Sequence, residues 1–118
     1  MKLFKNCVQI LTMAFTSNTE EYININLRSL IFDNKVYDMV KQNRGFFPPY
    51  LINNIFYTDS FPLDQKRLNR IMSGYDNGLP PVYVQKVRKN MYQLQNGRHR
   101  VTATILKGGQ NIPGKIID

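Results

Sequence analysis

The chain has no tryptophan, one cysteine and one histidine, and eight acidic residues against sixteen lysines and arginines. Each scarcity excludes something. Cys7 cannot close an internal disulfide alone, and its apolar surroundings predict a buried free thiol and an intracellular setting. His99 has no second histidine or Cys/His cluster to join, which excludes a zinc or histidine-rich metal site. No run approaches the ~18 apolar residues of a bilayer-spanning helix, so no membrane partner is expected. Residues 8–15 are apolar and follow Lys2 and Lys5, as in a signal peptide. However, Gln9 and Thr12 interrupt them and no small-residue cleavage site follows, so they read as a buried strand.

What is present describes a globular domain. Hydrophobic residues make up 42% of the 118, and no repeat, low-complexity tract or Pro/Gly/Ser-rich linker divides them. One domain over 1–118 is expected. The formal charge of +8 opposes compaction and suits an anionic partner, nucleic acid or nucleotide, with solubility alone as the plain alternative. Abundant Lys, Asn and Ile point to an AT-rich genome such as that of a virus, phage or plasmid.

Periodicity outlines the elements. Ile23, Ile25 and Leu27 alternate with Asn24 and Asn26, which predicts a half-buried strand. Val36, Met39, Val40 and Asn43 lie at helical spacing between the caps Asp33 or Asn34 and the stop Gly45, predicting a helix over 34–44. Phe46-Phe47-Pro48-Pro49-Tyr50 must be a connection, its aromatics packing rather than stacking on bases. Residues 51–57 read as a strand. Residues 63–75 read as a helix with Leu68, Ile71, Met72 and Tyr75 inward and Lys66, Arg67 and Arg70 outward, ended by Asp76-Asn77-Gly78. Residues 82–87 and 91–95 form a hairpin around Arg88-Lys89-Asn90. A helix then starts after Gly97 and closes at Gly108-Gly109, and a last strand covers 112–117. The fold class is α+β, a small mixed sheet with packed helices.

The chemistry is concentrated at Leu94-Gln95-Asn96-Gly97-Arg98-His99-Arg100, where a strand passes into a helix. Helix-start N–H groups and the helix dipole favour an anion, and Gly97 lets a phosphate approach the backbone. Arg98 and Arg100 can add forked hydrogen bonds, and His99 can donate from its ring. Three consecutive residues cannot all face one way, so two should meet the ligand and one turn away. The plain alternative pairs both arginines with carboxylates and makes His99 an interior, satisfied ring.

Residues 55–118 resemble the ParB/sulfiredoxin superfamily. The resemblance rests on Gly78-Leu79-Pro80-Pro81-Val82-Tyr83-Val84, on Asn96-Gly97-Arg98-His99-Arg100-Val101 and on the exit Ile112-Pro113. It implies a core over 55–118, with a less regular N-terminal part over 1–50, and a glycine-basic motif that binds phosphates. Members include partition proteins that hydrolyse CTP, nucleases, serine kinases and ATP-using sulfiredoxins. Arg98 stands where a sulfiredoxin needs its nucleophilic cysteine, which argues against that activity. The kinases' acidic base has no obvious counterpart, because Glu20 and Glu21 fall outside the match and Asp64 reads as a helix-start residue. The chain as given reaches Asp118 without the helix-turn-helix region that follows this domain in partition proteins.

Three functions follow as expectations. In the first, Gly97, Arg98, His99 and Arg100 bind phosphate, and Lys66, Arg67, Arg70, Lys86, Arg88 and Lys89 extend a sequence-tolerant footprint on nucleic acid, DNA before RNA. In the second, an NTP hydrolase, nuclease or phosphotransferase holds CTP or ATP with magnesium at the same motif, with Asp59 or His99 as acid or base. In the third, an interaction protein keeps a vestigial pocket, recognisable by Arg98 and Arg100 being engaged by internal carboxylates.

Overall fold

A computed structural model describes residues 22–74 and 81–117. The expected strand over 8–15, Cys7, Tyr75, the turn 76–78 and Leu79-Pro80 lie outside the described residues. In chain order the elements are β1 (Ile23–Asn26), β2 (Leu30–Asp33), α1 (Asn34–Arg44), β3 (Ile55–Tyr57), α2 (Gln65–Met72), β4 (Val82–Arg88), β5 (Met91–Asn96), α3 (Arg98–Leu106) and β6 (Asn111–Ile116). The strands form one mixed sheet in the order β1-β6-β4-β5-β2-β3. β1–β6 and β4–β5 are antiparallel, whereas β4–β6, β5–β2 and β2–β3 are parallel. The expected α+β class and mixed sheet are observed.

Local chemistry sets the boundaries. Asp33 caps α1 by accepting from the N–H groups of Lys35 and Val36, and Gly45 ends it at φ 94°. Asp64 caps α2 by accepting from Lys66 N–H, so that helix begins at Gln65 instead of 63. The expected strand over 51–57 shrinks to β3. Pro49–Asn54 forms a 3-10 segment, and the buried Asn54 amide donates to Leu27 O and Leu30 O at 2.5 and 2.8 Å. The buried Asn54 amide needs acceptors, and the 3-10 segment delivers it to those two carbonyls against the strand preference of the residues.

One core joins both halves of the chain. Phe32 from β2, Val36 and Val40 from α1, Leu68 from α2, Val82 and Val84 from β4, and Val101 and Ile105 from α3 are all essentially inaccessible. Phe47, from the proline-bounded connection, packs with its ring centroid 4.9 Å from that of Tyr37. β2 lies between β5 and β3, so residues before 50 supply an inner strand of the sheet.

Candidate functional site

The strand-to-helix junction forms as its sequence suggests, but its residues face different ways. Gly97 sits at φ 110°, a conformation that side chains strain to adopt, and a Cβ there would lie 2.5 Å from Val82 Cγ1. The glycine is therefore dictated by close packing on β4 as well as by the turn. α3 starts without a side-chain cap. Residues 97–100 at its start line a cleft of about 220 Å³ together with Arg67 and Ile71 from α2 and Gln95 and Asn96 from β5.

Arg98 lines the cleft, but its guanidinium is engaged internally. Its Nε donates to Asp33 Oδ2 at 2.6 Å and its Nη2 to Asp33 Oδ1 at 3.2 Å and Phe61 O at 2.7 Å. Asp59 Oδ2 stands 3.8 Å from the same Nη2. Burial opposes the Arg98 charge, but the hydrogen bond and charge of Asp33, with Asp59 beyond, outweigh it and raise its pKa. Asp33 is fully buried and serves at once as helix cap and as counter-ion. Tyr57 flanks this cluster and donates its hydroxyl to Leu94 O at 3.2 Å. Burial first, then the negative charge of Asp33, pushes its pKa up to about 12.

Arg100 and His99 stay at the cleft. Arg100 Nη1 donates to Pro81 O at 3.0 Å and meets no carboxylate among the described residues. Burial and the nearby Arg67 charge lower its pKa. His99 Nε2 accepts the N–H of Asp64 at 2.8 Å, joining the first turn of α3 to that of α2. Burial, then Arg67 and Arg98, lower the His99 pKa, with the Asp64 carboxylate acting in the opposite direction.

The remaining expected residues separate into two groups. Lys66, Arg67 and Arg70 are exposed on α2, and only Arg67 lines the cleft. Lys86, Arg88 and Lys89 are exposed at the far end of the hairpin; from Val82 to Arg88 a strand rises roughly 20 Å. Asp59 is absent from the described cleft wall, and its Oδ1 accepts from Phe61 N–H at 2.9 Å. No carboxylate lines the cleft among the described residues, so its donor set does not fit a magnesium ion held by protein oxygens. Asp33 as the partner of Arg98, and Ile71 as a cleft wall, were not expected from the sequence, whereas Gln95 and Asn96 belong to the expected junction.

No family model matches the sequence, and no curated protein matches it. Among solved structures, the chain is similar to sulfiredoxin from Arabidopsis thaliana, with a TM-score of 0.50 and 19% identity over 83% of this chain and 85% of that one. It is similar too to a free serine kinase in complex with AMP, at TM-score 0.53 and 19% identity over 86% of this chain. A point variant of that kinase with AMP aligns equally well. The chain spans about a third of the kinase's length, 32%. The ParB/sulfiredoxin-like fold expected from residues 55–118 is thus the fold of the chain, and the matched region extends well into its N-terminal half.

Proposed function

We propose that the chain binds a nucleotide through its phosphate at the first turn of α3. The observation that carries this reading is the cleft itself. Uncapped helix-start N–H groups and two arginines, Arg67 and Arg100, meet there with no neutralising carboxylate among the described residues. Two like charges held together are costly until an anion joins them. The shared fold of a kinase that binds AMP supports the same reading. Arg98 is assigned to structure, since an internal carboxylate engages it as the vestigial-pocket alternative requires. Arg100 does not meet that criterion, because a backbone carbonyl holds it and leaves its charge unneutralised.

Binding is proposed here without turnover. Arg98 faces both Asp33 and Asp59, and no described carboxylate at the cleft is left to take a proton from an acceptor. A polynucleotide is the second reading, favoured by the exposed Lys66 and Arg70 on the helix that brings Arg67 to the cleft. A thermal-shift panel of AMP, ATP, CTP, inorganic phosphate and short oligonucleotides, with and without magnesium, tests both. A ligand that selects the folded state raises the melting temperature by mass action. AMP and ATP stabilising equally without magnesium is the expected result. Stabilisation by oligonucleotides alone transfers the site to nucleic acid, and no stabilisation by any of them defeats the proposal.

A further inference from the structure

The contact between His99 and Asp64 has a consequence for the cleft, and the inference drawn from it rests on the phosphate reading above. A backbone amide can only donate, so the Nε2 that faces Asp64 N–H at 2.8 Å must present a lone pair. A neutral imidazole carries one N–H, which this geometry assigns to Nδ1. We infer that His99, as the neutral Nδ1–H tautomer, is a positioning residue: it holds the start of α2 against the start of α3 and thereby keeps Arg67 at the phosphate cleft.

The connectivity is short. Asp64 gives its own N–H to His99 while its side chain accepts from Lys66 N–H, so one residue both receives the ring and starts the helix. Arg67 lies in the first turn of that helix and reaches the same cleft that His99 lines. From α2 the ring is faced by Arg67 and the Asp64 carboxylate, and from α3 by Arg98. Two of these three groups are cations. A protonated ring would set Nε2–H against the N–H of Asp64, donor to donor, and add another positive charge beside Arg67. Protonation must therefore break the link and release Arg67, although the protein as a whole becomes more cationic.

This gives a signature that simple electrostatics does not. Greater positive charge alone would strengthen anion binding in acid, whereas loss of Arg67 positioning weakens it. His99→Gln supplies a side-chain carbonyl as acceptor and does not titrate. AMP affinity of the parent divided by that of His99→Gln cancels the titration of the AMP phosphate itself.

The experiment measures AMP affinity calorimetrically from about pH 8 to about pH 5, the span over which a histidine switches, for the parent, His99→Ala and His99→Gln. It also records the ring nitrogen resonances, which are unambiguous in a protein with one histidine. His99→Ala should bind roughly tenfold more weakly than the parent at the alkaline end, the loss of about one hydrogen bond. His99→Gln should recover most of that loss, and the parent should lose affinity relative to it on acidification. Parallel pH profiles for the parent and His99→Gln, or an Nε2–H resonance in the unliganded protein, overturn the inference. Failure of the parent to bind AMP at any pH overturns the function proposed above, and the ring resonance then decides the positioning of α2 by itself.

Discussion

Arg98 grips Asp33 through two hydrogen bonds, of 2.6 and 3.2 Å, across 65 residues of sequence. The pair joins the start of α3 to the start of α1, and Asp33 is inaccessible to water. Removing Arg98 leaves Asp33 buried without its counter-ion, and removing Asp33 leaves Arg98 only the more distant Asp59. Asp33→Ala should cost about 3–5 kcal/mol, as for a broken buried pair, and Asp33→Asn less, because its oxygen can still cap α1. Urea denaturation of both variants and Arg98→Ala checks this. The Arg98 variant should lose stability first and ligand affinity only as a result.

Arg67 and Arg100 should show the reverse. Each replaced by Ala should weaken AMP binding by about 1.5–3 kcal/mol per lost charged hydrogen bond. Lysine should rescue only in part, keeping the charge and losing the fork. Lys89→Ala, at the distant hairpin tip, serves as control and should bind as the parent does. Calorimetric titration with AMP compares these variants with the parent, and arginine variants that match the control would remove the phosphate site.

Gly97 carries two separable penalties. Gly97→Ala should lower stability by at least the ~1–2 kcal/mol of a side chain in the left-handed region, with the contact to Val82 added. Adding Val82→Ala should relieve part of the contact and none of the conformational cost. The measurement is a double-mutant cycle in melting temperature. Additivity of the two losses would show that the approach of Gly97 to β4 is not what fixes the glycine.

Stability should fall at both ends of the pH range. His99 folds with its pKa below the ordinary 6.5, so the unfolded chain binds a proton that the folded ring refuses. That contribution is present above 6.5 and is lost as pH falls through the folded value. Tyr57 folds with its pKa raised from 10 to about 12, so its contribution is present below pH 10 and is lost as pH rises towards 12. Phenolate absorbance should show one of the seven tyrosines titrating late, and Tyr57→Phe should abolish that late step.

Local signals were the legible ones. Asp33 and Gly45 bracket α1 as capping chemistry requires, the alternation of 82–87 marks β4, and Gly97 marks the start of α3. β2 was hidden because Leu30, Ile31, Phe32 and Asp33 are all buried, which erases the alternation that identifies a half-exposed strand. The 3-10 segment at Pro49–Asn54 was hidden because the acceptors that satisfy the buried Asn54 amide belong to residues 27 and 30, far off in sequence. The motif 97–100 marks where the cleft forms, not which arginine is engaged by a carboxylate. That choice depends on a carboxylate brought close by the fold, and no spacing within the motif encodes it.

The position of β2 also governs the order in which the molecule can be made. Its two neighbours, β5 and β3, both run parallel to it, and parallel strands cannot be closed by a tight hairpin. One partner arrives with Ile55 and the other only with Tyr92. On a ribosome, β3 can join β2 once Ile55 is made, but the other edge of Leu30 and Ile31 must wait until Tyr92 and Gln93 are synthesised. Closure of the sheet between β2 and β5 is consequently a late, non-local step.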